Sequence, residues 1–490
     1  MRPEPIRTFT HRERQLFFDD DDIAEINDLR VRMHRPNKKG AVIRAYPEIA
    51  LHAPEADGPT YRPQTRTAPV WDPEAGVWKF WTISAKLSAD AGLSAYHESR
   101  DGLHWYQPNI GRVKLAGTTA NNFVYIPIDE KRTTEVLGVV YDADDPDPRR
   151  RFKAITFTLV SEHAVFFGVS PDGIVWTRLD TPPILSGDEP NFSFDAANRL
   201  FIATVKVKGP YGRSHALTTS RDFEHWTEPV LVFHADDEDQ ALARAVIAKR
   251  LDNPALQQTI FNHPEEHGVD VYNFAISRYE SRYIGFASMF HHVGRNPTGR
   301  NHDGFHHVQL ASSRDMHRWQ RLGNREAFID SSPLGAGAYD TLQILGPSSP
   351  VIRDDELWFY YTGVKFRWPP QKWDADCAAI CLATLRRDGF VSLDAEKEGG
   401  TFTTALFQWE GERLYLNADA GGGAISVEIL DAAGEPLPGY ERAQAIAMEY
   451  DSVRQAVVWQ QQNRMPEASH GPIRLRFHMR SAQLFSYWFE

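Results

Sequence analysis

Apolar positions along this chain fall in short runs, many of them alternating with polar residues, and no helical period separates them. Such runs predict β-strands. Those at 77–81, 152–159, 200–207, 283–289 and 356–361 each follow a polar turn, for example Asp72-Pro73-Glu74-Ala75-Gly76 or Arg353-Asp354-Asp355. A second set, at 93–96, 165–169, 215–219 and 308–312, precedes a recurring Ser-x-Asp-x3-Trp segment. Its copies are Ser99-Asp101-Trp105, Ser170-Asp172-Trp176, Ser220-Asp222-Trp226 and Ser313-Asp315-Trp319. A degenerate fifth, Arg387-Asp388-Gly389-Phe390, follows 378–382 and lacks the Ser and the Trp. The physical reading is a hairpin: Asp caps a tight turn through the local backbone, and Trp reopens a strand and anchors it between sheets. These residues build fold, not chemistry.

Three to four short strands per repeat are the pattern of propeller blades, so five copies predict a five-bladed β-propeller over residues 1–395. The N-terminal stretch, including 14–18 and 40–44, is expected to supply an outer strand that closes the ring and removes its exposed edges. Residues 396–400 read as a linker. Beyond them, alternating runs at 414–416, 424–430, 452–459 and 473–479 predict a β-sandwich accessory domain over 396–490. It carries no obvious paired acids, which suits packing or binding better than a second active site.

Bulk properties narrow the classes. At 490 residues the chain exceeds one ordinary core, and two domains are expected. A formal charge of −12 argues against nucleic acid as a partner. The 13 Trp, 17 Tyr and 28 Phe are anchors for small β-modules and also flat surfaces for sugar rings. Cys377 and Cys381 alone make neither a disulfide scaffold nor a zinc site and read as buried thiols. No apolar run reaches the ~18 residues of a membrane span. With Met1 taken as the natural start, the polar opening Met1-Arg2-Pro3-Glu4-Pro5 has no signal-peptide core, and a soluble, cytoplasmic protein without a membrane partner is expected. The sequence leaves the oligomeric state open.

In a propeller the innermost strand of each blade lines the channel, and its start faces the mouth. Counting back from each repeat puts these starts near Arg66-Thr67, Asn121-Asn122, Asp188-Glu189, Asp270 with Tyr272, and Tyr339-Asp340. Asp and Asn also end strands for purely local reasons, and Asp340 follows the Gly-rich 335–338, so turn formation alone is the competing reading. A ring of carboxylates fits glycoside hydrolysis, in which one acid protonates the leaving oxygen and another activates water or attacks the anomeric carbon. Crowding raises one pKa and keeps that acid protonated. Asp188, Glu189, Asp270 and Asp340 are therefore expected in one pocket. Glu189 serves as general acid, Asp340 faces it as general base across the channel, and Asp270 orients a substrate hydroxyl. Asp188, Asn122, Arg66, Arg62, His291, His292 and Tyr272 are expected to bind substrate, with His34 as a further candidate. The His pairs at 291–292 and 306–307 match no rigid metal spacing. No metal or cofactor is required, and a long fourth-blade loop over the mouth is the expected role of that tract.

The blade pattern, the Ser-x-Asp-Gly-x2-Trp turn and the trailing sandwich resemble the superfamily of glycoside hydrolase families 32, 43, 68 and 130. Bacterial proteins described as glycosyl hydrolase family 32 N-terminal domain-like are particularly similar. Their openings resemble Arg14-Gln15-Leu16-Phe17-Phe18-Asp19-Asp20, and their tails resemble Leu416-Asn417-Ala418-Asp419 through Leu475-Arg476-Phe477. The resemblance implies a glycosidase for a small or terminal glycoside, a furanoside by resemblance alone, and a channel that sometimes holds a structural calcium ion. It leaves three alternatives: a family 130-type phosphorylase, a non-catalytic carbohydrate-binding propeller, and a polysaccharide lyase. Family 32's own Trp-Met-Asn-Asp-Pro-Asn-Gly, Arg-Asp-Pro and Glu-Cys segments are absent. Thr67-Ala68-Pro69 stands where those families place an acid, so roles do not carry over residue by residue.

Overall fold

The computed structural model describes residues 6–45, 61–88, 91–115, 117–158, 163–297, 301–335, 337–367 and 376–490, with the side chains of 61, 62, 84–88, 91 and 468 left aside. Its regular structure is nearly all β. Five sheets follow one another along the chain, antiparallel apart from the Thr133–Ala91 pairing in sheet one. Sheet one is built on Tyr61–Gln64, Val77–Ser88 and Ala91–Ser99, with Val70–Asp72 on the strand 77–88. Sheet two comprises Gly138–Tyr141, Phe152–Thr158, Ala164–Ser170 and Thr177–Arg178, and sheet three Asn191–Asp195, Leu200–Gly209, Gly212–Ser220 and Val230–Phe233. Sheet four comprises Gly268–Tyr279, Arg282–Arg295, His302–Ser313 and Gln320–Arg321. Sheet five runs Gln343–Leu345, Glu356–Val364, Ala378–Arg386 and then Asn37–Arg44, so an N-terminal strand forms its outer edge.

The repeated turn explains how the sheets meet. In all four copies the Ser Oγ accepts from the backbone N–H three residues on, at 2.8–2.9 Å, and the Asp Oδ1 accepts from the two N–H groups beyond that. The Trp indole N–H then donates to the carbonyl of the residue that follows Asp. That residue has positive φ and is Gly102, Gly173, Phe223 or Met316. Each Trp packs against the preceding sheet: Trp176 edge-on to Trp81, Trp226 stacked on Phe167, Trp319 edge-on to Phe233. Trp105 of sheet one meets Tyr360 of sheet five, and Phe286 of sheet four meets Phe359 of sheet five.

Besides a two-stranded parallel pairing of Arg7–Phe9 with Phe407–Trp409, two larger sheets involve the C-terminal part of the chain. One orders Asp451–Ala456, Leu414–Asp419, Ala482–Phe489, Val391–Ala395 and Leu29–Met33, and the other Ile23–Asn27, Gly400–Thr404, Arg474–Arg480 and Ala424–Leu430. Their facing side chains, among them Phe402, Leu416, Val427, Phe477 and Tyr487, form one core continuous with Phe359 and Phe390. Two expectations need correction here. Residues 14–18 do not close the ring: Gln15–Leu16 pairs with Ala482–Phe489, and Phe17 packs on Phe402. The expected linker is a tight connection between two strands of these sheets, with the Gly399 N–H donating to the Glu396 carbonyl at 3.0 Å and Gly399 at φ 84°.

One α-helix, Asp237–Leu251, was not expected. Its buried stripe is Asp239, Ala243, Ile247 and Arg250, so charged residues occupy helical-period positions and mask the apolar period. Asp236 and Asp239 close a capping box, and Arg321 binds Asp239 at 2.9 Å. No described helix is long and apolar enough to cross a membrane.

Candidate functional site

The first strands of sheets one, three and four bring a charged cluster together. Arg66, just past Tyr61–Gln64, is 1 % exposed and donates to the Thr65 carbonyl at 2.9 Å. Its Nη2 meets the Glu189 carboxylate. Glu189 and Asp188 lie in the loop before Asn191–Asp195, and that loop is pinned to sheet three's second strand. The Ser186 hydroxyl donates to the Asp188 carbonyl at 2.6 Å and accepts from the Lys206 N–H at 3.0 Å, while the Gly187 N–H donates to the Lys206 carbonyl at 2.7 Å. Glu189 and Asp188 keep a quarter and a third of their side chains exposed.

Lys206 carries the cluster onward. Its Nζ donates to Asp188 Oδ2 at 2.8 Å and sits 4.3 Å from the centre of the Tyr272 ring. On the next strand Arg213 lies 5.0 Å from the same ring and 4.8 Å from that of Phe290. Its Nε donates to Asp270 Oδ2 at 2.8 Å, and His292 Nε2 stands 3.2 Å from that oxygen. Arg367 approaches the Phe290 ring at 4.6 Å, and His306 stacks on that ring at 4.6 Å. Asp188, Glu189, Asp270, Tyr272, His292 and Arg66 are thus joined through shared cations.

The electrostatics differ from the expected crowding of acids. Burial pushes the Asp188 carboxyl up, but Lys206 outweighs it and holds the group below its ordinary range. Burial acts likewise on Asp270, and His292 with Arg213 brings it down. Each of these two acids is paired with its own base, Lys206 for Asp188 and Arg213 for Asp270. His306 is held well below its ordinary value, first by burial and then by Arg367 and Arg213.

Other expected residues lie elsewhere. Asp340 is 3 % exposed, and its Oδ2 meets Lys38 Nζ at 2.6 Å and accepts from the Tyr361 hydroxyl at 2.8 Å. Lys38 comes from the outer strand of sheet five and Tyr361 from its second strand, so this acid is engaged by partners within that sheet. His291 shares a strand with His292 but points to the opposite face, as strand alternation requires. There it stacks on Phe305 at 4.8 Å beside His307. Asn122 donates to the Tyr96 carbonyl at 2.8 Å. The strand after it, Phe123–Val124, pairs with sheet one, because an extra excursion precedes the first strand of sheet two at Gly138–Tyr141. His34 belongs to the C-terminal sheets, 2.7 Å from the Ser392 hydroxyl. The side chain of Arg62 falls outside the described residues. Lys206 and Arg213 carry no signal at a strand start, because they sit inside the second and third strands of sheet three, and His306 stood out only as one of a histidine pair.

Among the described residues no group of three or more His, Cys, Asp or Glu is arranged to hold a metal ion. No family model matches the sequence, and no curated protein matches it. Solved structures do resemble it. An α-L-arabinofuranosidase from Podospora anserina, crystallised with cellotriose, is 12 % identical over 72 % of this chain and 96 % of its own, with a TM-score of 0.41. A Bombyx mori GH32 β-fructofuranosidase is 9 % identical over 93 % of each chain, with a TM-score of 0.41. A structure from work on GH130, a family of mannoside phosphorylases containing glycoside hydrolases that target β-1,2 mannosidic linkages in Candida mannan, is 11 % identical over 78 % of this chain and 95 % of its own, with a TM-score of 0.38.

Proposed function

We propose that the five sheets are the blades of a five-bladed β-propeller, that the C-terminal sheets with residues 7–33 form an accessory β-sandwich, and that the charged cluster cleaves a glycosidic bond. The observation that carries the reading is the placement of Glu189. It is a partly open carboxylate held by a buried guanidinium, with the Asp188 carboxylate next to it and the Tyr272 ring beyond Lys206. Cleavage of a glycoside builds positive charge at the anomeric carbon, and two adjacent carboxylates held in place by fixed cations are suited to stabilise it. Glu189 is the reacting carboxylate, Asp188 stabilises the same charge, and Tyr272 offers a face for the sugar ring. Arg66 positions Glu189. Asp340, engaged by Lys38 and Tyr361, takes no step.

A second reading is phosphorolysis, in which phosphate replaces water as the acceptor. It is favoured by the three cations, Arg66, Lys206 and Arg213, that stand among the acids. A panel of nitrophenyl glycosides assayed with and without inorganic phosphate separates the two. Glu189→Gln should lower kcat on any glycoside that is cleaved by ~10²-fold or more. Full activity in that variant, or no cleavage across pyranosides and furanosides of both anomers, overturns the proposal.

A further inference from the structure

The bonding of Arg213 is incomplete. Its Nε is engaged with Asp270 at 2.8 Å and its backbone N–H reaches the same oxygen at 3.3 Å, yet among the described residues Nη1 and Nη2 make no hydrogen bond. The side chain is a quarter exposed. Asp270, 5 % exposed, fixes the guanidinium from behind, and Tyr272 and Phe290 flank it. Beside it His292 and His302 stack at 5.0 Å with an interplanar angle of 16°, and the partly buried His302 ring likewise has no hydrogen-bond partner among the described residues. A guanidinium held through Nε presents its two terminal N–H groups as a planar fork, the geometry that pairs with a carboxylate or phosphate through two parallel bonds. Lys206 adds a second fixed cation, and an aromatic face lies between the two.

We propose that this corner binds an oxyanion through the terminal nitrogens of Arg213 with support from His302, so that the ligand of the cluster is an acidic sugar or a sugar together with phosphate. The inference rests on the glycoside-cleaving reading for the word sugar, but its chemistry is tested without turnover. Isothermal titration calorimetry on the full chain at low salt would use D-glucuronic acid, D-galacturonic acid, D-glucose, D-galactose and inorganic phosphate, with chloride at matched ionic strength as the control. A uronic acid or phosphate should bind about tenfold or more tightly than the neutral sugars, the scale of a charge-assisted bidentate pair. A preference for uronic acids with phosphate inert assigns the oxyanion to the sugar. Phosphate binding without a uronic-acid preference assigns it to the second reagent.

Arg213→Gln should remove the preference and Arg213→Lys should keep part of it, because charge survives while the fork is lost. If Arg213→Gln melts far below the wild type, His302→Gln on the third strand of sheet four gives the independent reading and should weaken oxyanion binding several-fold. Equal binding of neutral and acidic sugars with no phosphate binding overturns the inference, as does an unchanged preference in Arg213→Gln. Cleavage of neutral glycosides alongside absent oxyanion binding would sink the inference and leave the catalytic reading standing. Tight uronate binding by a chain that cleaves no glycoside would do the reverse.

Discussion

Replacing Asp388 by Asn should destabilise the protein by about 3 kcal/mol, although Asp388 lies in the copy of the turn that has lost its Ser and Trp. The carboxylate is fully buried. It meets Arg14 Nη1 at 2.5 Å and accepts from the hydroxyls of Tyr279 and Ser486, each at 2.6 Å, and from Asn417 Nδ2 at 3.1 Å. These partners come from the N-terminal segment, sheet four and the C-terminal sheets, so one group ties three parts of the chain. Asn keeps the shape but removes the charge, and it turns one acceptor into a donor facing other donors. Breaking a buried pair costs about 3–5 kcal/mol. Arg14 retains 15 % exposure and lies 3.9 Å over the Trp488 ring, which lets it recover some stabilisation and favours the lower end. Urea unfolding followed by tryptophan fluorescence should show a midpoint lowered by roughly 1 M, taking m as about 3 kcal/mol/M. Burial pushes the Asp388 carboxyl up, but Arg14, Ser486 and Tyr279 outweigh it and hold the group below its ordinary value. Its contribution is therefore complete above about pH 3.9 and is lost as pH falls toward the folded value, so the gap between wild type and variant should narrow below about pH 4. A midpoint shift under about 0.3 M at pH 7, or a gap that widens on acidification, refutes this account.

Gly173 has φ +72°, and a Cβ there would lie 2.6 Å from the buried Trp81, so Gly173→Ala should cost more than the ~1 kcal/mol of a strained backbone alone; a melt within 1 °C of wild type contradicts that. Buried His97, His215 and His307 have pKa values lowered by burial to about 3, about 3 and about 4. Their folded values lie below the unfolded ~6.5, so stability should fall as pH drops from about 6.5 toward 4, and a flat urea midpoint over that window would disprove it. Arg66→Met should lower kcat on a cleaved glycoside with KM little changed, and Arg66→Lys should restore part of it; equal loss in both variants would show that charge beside Glu189 is not what matters. Asp340→Asn should lower the melting temperature through the Lys38 pair while leaving kcat within a few-fold, and a hundredfold loss of kcat would return that acid to the reaction.

What local chemistry encodes could be read from the chain. Period-two runs become strands because side-chain alternation is a property of the extended backbone, and Ser-x-Asp-x3-Trp makes the same turn four times because its hydrogen bonds close within a few residues. Ser99 and Gly102 need no distant partner. The acids at Asp188, Glu189 and Asp270 were legible as strand-start residues for the same reason. What each acid meets is a long-range matter. Arg66 reaches Glu189 across 123 positions of sequence and Lys38 reaches Asp340 across about 300, so only the assembled sheets decide which carboxylate stays open and which is consumed. Pairing of Gln15–Leu16 with Ala482–Phe489 joins opposite ends of the chain through backbone hydrogen bonds, which leave little trace in side-chain pattern. Asp388 carries the point furthest: local sequence marks a worn copy of a hairpin turn, while tertiary packing makes the same carboxylate a buried junction, because an anion excluded from water must gather partners from wherever the fold supplies them.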